Sequence, residues 1–147
     1  MRLSTKARYA VMAMVDLAKM QAIQGGAVSL TTLASRQDLP LAYLEQIFLK
    51  LRKKGLVKSL RGASGGYNLA KDAAVIKIFD VIAAVDTPLK ATQCPADGHK
   101  GCQTQGARCL THDLWEELGF VVQSFLRNVS LADVYQQRLT LSNRVAG

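Results

Sequence analysis

The stretch from Ser29 to Leu69 limits the possible folds more than any other part of the chain. Leu30, Leu33 and Ala34 follow Ser29 at helical spacing, and serine is a favoured residue for capping a helix N-terminus. Gln37-Asp38-Leu39-Pro40 then breaks the pattern, because the residue before a proline is pushed out of helical geometry. A second periodic segment spans 40–54, with Leu41, Leu44, Phe48 and Leu51 as its predicted buried stripe. Gly55 suits a left-handed C-terminal cap, and Lys53 and Lys54 sit at the negative end of the helix dipole. Beyond it, Leu56-Val57-Lys58-Ser59-Leu60 and Tyr67-Asn68-Leu69 read as strands around Arg61-Gly62-Ala63-Ser64-Gly65-Gly66. Three glycines in those six residues leave a hairpin tip with little side-chain bulk. Two helices joined by a tight turn predict a helix-turn-helix, and the hairpin after them makes it winged.

The flanking segments extend this to a mainly α fold with one small β-hairpin wing. Val11, Met14, Val15 and Ala18 form the stripe of a first helix from Ser4 to Gln21, closed by Gly25-Gly26. Helical pattern returns near Phe79–Val85, and an irregular stretch follows from Asp86 to about Leu110. An unstructured loop of that length in a compact domain usually has a function. Thr111 is the expected cap of a long helix reaching Asn128, with Leu114, Leu118, Val121, Val122, Phe125 and Leu126 on its apolar face. Such a face either covers its own core or pairs with its copy in a dimer, and the dimer is the expectation. Ser130-Leu-Ala-Asp133 reads as a capping box opening a short helix, and the tail from Thr140 lacks periodicity and is expected to fray. The 147 residues suffice for one compact unit, with a DNA-binding region over 1–72 and a ligand loop (about 86–112), dimerisation helix and tail over 73–147.

Charge separates those halves. Residues 1–72 hold twelve Lys/Arg against four Asp/Glu, a difference of +8, whereas residues 73–147 hold seven of each, a difference of 0. The whole excess therefore lies in the first half, which points to a polyanionic partner, double-stranded DNA. Arg52, Lys53, Lys54, Lys58 and Arg61 fall together without an acidic neighbour and suit phosphates. Ala42, Tyr43, Glu45, Gln46 and Lys50 point away from the leucine stripe, where Glu45 can accept from a cytosine amino group and Gln46 can pair with adenine. Arg61, at the root of a slim hairpin, suits a narrow minor groove. The competing reading is an ordinary solvated charge run.

No apolar run approaches the ~18 residues of a membrane span. Asp16 and Lys19 interrupt the apolar run that follows the basic N-terminus, so a helix is expected there rather than an export signal. The expected compartment is the cytoplasm, where structural disulfides are rare, and the three cysteines are an odd number. They stand as Cys94-x7-Cys102-x6-Cys109-Leu-Thr-His112. Three thiolates and an imidazole suit either zinc or an iron–sulfur cluster. Zinc favours close knuckle pairs, whereas wide, glycine-bearing spacings favour the larger inorganic core. Three unrelated buried thiols remain the plain alternative. His99 lies in the same loop without helical context and reads as a bystander. Paired acid/base groups, a phosphate loop and a nucleophile–base spacing are all missing, so neither an enzyme nor a small-molecule substrate is expected.

Several of these segments together resemble the IscR-type iron–sulfur cluster regulators of the Rrf-type winged-helix transcription factors. They are the opening Met1-Arg-Leu-Ser-Thr-Lys-Ala-Arg-Tyr-Ala-Val, Tyr43-Leu-Glu-Gln-Ile-Phe, Leu51-Arg-Lys-Lys-Gly-Leu-Val, the wing Arg61-Gly-Ala-Ser-Gly-Gly-Tyr and Cys109-Leu-Thr-His-Asp-Leu-Trp. The resemblance covers about residues 1–135. It implies a homodimeric repressor, sometimes an activator, with one [2Fe–2S] cluster per subunit on Cys94, Cys102, Cys109 and His112. It also implies DNA contacts through Tyr43, Glu45, Gln46 and Arg61, beside the Arg52 of the basic run, and control of cluster-assembly genes. Relatives that sense nitric oxide bind a [4Fe–4S] cluster without the histidine, and the Cys-Leu-Thr-His run favours the two-iron reading.

Overall fold

The computed structural model describes residues 3–86 and 106–139. Cys94, Cys102, His99, most of the predicted ligand loop and the tail lie outside the described residues. The element order is α1 (Thr5–Gln24), α2 (Leu30–Gln37), α3 (Leu41–Lys53), β1 (Val57–Leu60), β2 (Gly66–Leu69), α4 (Ile78–Val85), α5 (His112–Asn128) and α6 (Leu131–Tyr135). The expected mainly α fold with a hairpin wing is present.

α1 starts where Ser4 Oγ accepts from the Ala7 N–H at 3.0 Å, and stops at Gly25, whose φ is 68°. Its buried face runs through Ala7, Ala10, Ala13, Met14, Leu17 and Ala18. Val11 and Val15, predicted for that face, are only half-buried at its margin. The small residues on this helix let α4 and α6 pack closely against it.

α2 is capped as expected by Ser29, which accepts from the Thr32 N–H at 3.1 Å. It ends at Asp38, held in the left-handed region at φ 54°, so the stop precedes the Leu39-Pro40 restriction by one residue. α3 buries Leu44, Ile47, Phe48 and Leu51. Leu41, expected in that stripe, is 39% exposed, and Ile47, at 1%, takes its place. Angle does not separate them, since both flank the stripe, Ile47 about 40° beyond Leu51 and Leu41 about 20° beyond Phe48; Ile47 lies mid-helix, whereas Leu41 lies in the first turn. The Gly55 N–H donates to Arg52 O and the Leu56 N–H to Leu51 O, both at 3.0 Å, the paired bonds of a Schellman end.

β1 and β2 pair antiparallel, with Val57 opposite Leu69 and Leu60 opposite Gly66. Val28, between α1 and α2, adds a third short rung: its N–H donates to Tyr67 O at 3.0 Å and its carbonyl accepts from Tyr67 N–H at 2.8 Å. The wing is thus hydrogen-bonded to the segment leading into the helix-turn-helix. The Phe48 and Tyr67 rings meet edge to face at 5.0 Å, which packs the wing against α3.

Behind the wing, the Ile78 N–H donates to Val129 O at 2.9 Å and the Leu131 N–H to Ile76 O at 3.0 Å. These bonds join the start of α4 to the start of α6. The predicted capping box is formed: Ser130 Oγ accepts from the Asp133 N–H at 3.1 Å while Asp133 Oδ2 accepts from the Ser130 N–H at 2.9 Å. The bond from the Ser130 N–H, and after it the one that the Ser130 hydroxyl donates to Oδ2 at 2.7 Å, hold the Asp133 carboxyl below its ordinary range.

Candidate nucleic-acid interface and ligand-bearing turn

α3 turns two flanks outward. Ala42, Glu45, Leu49 and Arg52 share one flank and Tyr43, Gln46, Lys50 and Lys53 the other, as the 100° step between residues requires. All of these except Tyr43 are exposed. The Tyr43 ring leans on Tyr9 of α1 at 5.7 Å, nearly perpendicular to it, and is half-buried. Part of this predicted contact residue is therefore committed to fixing α3 against α1.

Arg52 leans the other way. Its Nη1 donates to Ser59 Oγ on β1 at 3.3 Å, which places the guanidinium between the helix and the wing. Arg61 follows β1 directly and is exposed at the wing tip. Glu45, Gln46, Arg52 and Arg61 thus lie on exposed surface of adjoining elements. Leu49 on α3 and Leu60 on β1, 43% and 49% exposed, are apolar members of that surface that the leucine periodicity did not single out.

Two residues that the sequence reading passed over fix the wing. Gln21, near the end of α1, donates through Nε2 to Asn68 Oδ1 and to Gly26 O, and accepts through Oε1 from the Leu69 N–H at 2.9 Å. A glutamine in the last turn of a mostly apolar helix, just before a double glycine, was the available signal.

The second predicted site begins at Cys109 and His112. The His112 N–H donates to the Cys109 carbonyl at 3.1 Å, so one tight turn brings both residues to the start of α5. Cys109 is a free thiol, half-buried and outside the apolar core, with its Sγ 3.6 Å from Thr111 Oγ1. Thr111 occupies the cap position without making the expected side-chain cap bond. Its hydroxyl instead accepts from Trp115 Nε1 at 3.1 Å, one helical turn on. His112 opens α5, as expected, with its ring 15% exposed and Nε2 3.8 Å from Glu116 Oε2. Donor atoms of His112, Asp113 and Glu116 lie within 4.8 Å of one another, a grouping the cysteine spacing did not suggest. A thiol kept out of the core and an imidazole three residues on are residue types that suit a soft-metal donor set.

α5 has no buried residue. Its predicted apolar face divides in two. Val122 and Leu126 are half-buried, and Leu126 packs against the core, with Arg127 holding the helix over the Phe79 ring of α4 at 3.8 Å. Leu114, Leu118, Val121 and Phe125, spaced four, three and four apart, stand exposed. Among the described residues, no helix is long and apolar enough to cross a membrane.

Comparison with known proteins follows this geometry. The Rrf2 family, described as "Iron-dependent Transcriptional regulator", matches residues 3–137. The HTH-type transcriptional regulator IscR of Yersinia enterocolitica is 51% identical over 134 residues, covering 91% of this chain and 79% of that protein. Among solved structures, T. potens IscR superposes with a TM-score of 0.75 at 37% identity, covering 94% of this chain and 88% of that one. CymR, the global cysteine regulator of B. subtilis, gives a TM-score of 0.78 at 31% identity over 93% of this chain and 98% of that one.

Proposed function

The chain belongs to the Rrf2 family of transcriptional regulators, and from that premise we propose that it is a homodimeric repressor, at some promoters an activator, that reports iron–sulfur cluster status. It is IscR-like, a DNA-binding regulator rather than an enzyme, as its relatives are. The finer reading assigns Cys94, Cys102, Cys109 and His112 as ligands of one [2Fe–2S] cluster per subunit, controlling genes for cluster assembly. The observation that carries it is the turn in which the His112 N–H donates to the Cys109 carbonyl, which holds both residues at the start of α5.

When bound, such a cluster supplies a reversible, redox-sensitive tie across the ligand loop, with histidine ligation tending to raise its potential. The chain's own residues do the rest. Thr111 fixes the turn through the Trp115 indole, and Arg127 over Phe79 ties α5 back to α4. α4 in turn reaches α3 through Lys50, whose Nζ donates to Val85 O at 3.3 Å. A continuous path of contacts thus leads from the ligand turn to the recognition helix. Glu45 and Gln46 read base edges from α3, Tyr43 and Arg52 seat the helix, and Arg61 carries the wing to the backbone or minor groove. The exposed Leu114, Leu118, Val121 and Phe125 seam has coiled-coil spacing and supports pairing with a second copy.

Anaerobic purification tests the reading. A red-brown protein with acid-labile sulfide, and operator affinity or preference that differs between holo and apo forms, is expected. A spectrum and iron content of the four-iron type would shift the reading to a nitric-oxide or redox sensor. Colourless protein with stoichiometric zinc, or identical holo and apo isotherms on every promoter, would overturn it.

A further inference from the structure

An open cleft of about 440 Å³ lies between α1, the C-terminal end of α3 and the end of α4, lined by Lys6, Lys50, Lys53, Lys54, Ala84, Val85 and Asp86. We propose that this cleft is a phosphate-binding site, and that its occupant is a backbone phosphate at the edge of the groove entered by α3. The proposal rests on the DNA-binding reading above and adds a contact from α1.

Four ammonium groups and one carboxylate line the cleft, a formal charge of 4 − 1 = +3. Lysines at the end of α3 have a local explanation, since cations are favoured at a helix C-terminus. Lys6 has none. It stands in the first turn of α1, which carries no acidic residue, and a cation there opposes the helix dipole. With a single carboxylate, Asp86, among four lysines, the cleft keeps a net positive charge that suits an anion from outside. Lys50 is already oriented, because its Nζ donates to the Val85 carbonyl at the end of α4.

Position decides which anion. Lys50 and Lys53 continue the flank of α3 that begins with Tyr43 and Gln46. From Gln46 to Lys53 the helix advances about 10 Å at its usual rise per residue. A major groove is about 12 Å wide, so with Gln46 at the base edges the lysine end stands over the bounding backbone. The cleft offers mobile point charges rather than an enclosing nest of backbone N–H groups, which suits a phosphate already held by the rest of the duplex.

The test uses the full chain and a duplex selected by the wild type from a random-sequence pool. Lys6→Gln should weaken binding several-fold and make the plot of log affinity against log salt shallower by about 0.9 per bound copy. Lys6→Gln with Lys53→Gln should weaken binding further while removing no more than that one phosphate's share of the slope, Lys6→Arg should restore the slope, and preference over a scrambled duplex should stay unchanged. Lys53→Gln alone, at an exposed position, gives the same readout should Lys6→Gln lower the melting temperature. Wild-type slopes in Lys6→Gln and Lys53→Gln, with Arg61→Ala still weakening binding, would overturn the cleft while leaving the DNA-binding reading intact. Absence of duplex binding by the wild type at any salt would sink both. Thermal protection by inorganic phosphate that needs Lys6, without a slope change on the duplex, would reassign the cleft to a small anion.

Discussion

Arg36 grips Asp16 with both arms of its guanidinium: Nε donates to Oδ2 and Nη2 to Oδ1, each at 2.8 Å. The pair joins α2, the first helix of the helix-turn-helix, to α1, and Asp16 is 6% exposed while Arg36 is 45% exposed. The Arg36 hydrogen bonds outweigh burial and hold the Asp16 carboxyl below its ordinary range.

Because the folded-state pKa of Asp16 is depressed, its contribution to stability is complete above the unfolded carboxyl value, about 3.9, and fades as pH falls through the lowered folded value. Arg36→Ala leaves a buried carboxylate without its partner and is expected to cost about 2 kcal/mol at pH 7. The loss should shrink below pH 4. Urea titrations at pH 7 and pH 3 check both parts, and an equal loss at the two values contradicts the assignment.

Gly66 sits at φ +149°, and a Cβ there would lie 2.4 Å from the Val28 carbonyl oxygen. The carbonyl is backbone and a Cβ is fixed in place by its own backbone, so neither can rotate away. Gly66→Ala should break the Val28–Tyr67 rung, destabilise the fold by about 2 kcal/mol and weaken duplex binding. Gly62, with open space around its Cβ position, should tolerate alanine with a smaller loss confined to backbone strain. Thermal melts of the two variants side by side decide it.

Gln21→Ala removes the acceptor for the Leu69 N–H and the link to Asn68. The expected cost is about 1–2 kcal/mol of stability. Since the Gln21 amide is bonded to Gly26, Asn68 and Leu69, affinity should drop uniformly over sequences. A change in the ranking of sequences would mean that Gln21 reads the duplex itself.

Leu118→Asp places a charge in the middle of the exposed α5 seam, where no core contact is lost. Sedimentation should then report a monomer with an unchanged far-ultraviolet spectrum and much weaker operator binding. A dimer that survives the substitution would locate the interface elsewhere.

Local rules carried most of the architecture. Ser4 and Ser29 cap the helices they precede, Ser130 and Asp133 close their box, and Gly55 ends α3, because each depends on atoms within a few residues. The stripe of α3 was read one residue off, with Leu41 in place of Ile47, since periodicity gives an angle but not which neighbour covers it. Thr111 takes the expected cap position but not the cap bond, because cap statistics do not count the competing indole of Trp115 one turn away.

Segregated positive charge, hairpin glycines and cysteine–histidine spacing were all legible in the chain of letters, being properties of composition and short range. The bond of Gln21 to β2, the gathering of Lys6 with the lysines of α3, and the division of the α5 face into a packed and an open side were not. Each joins residues tens of positions apart, or depends on which neighbours do or do not cover a face, and only the packed fold fixes those relations.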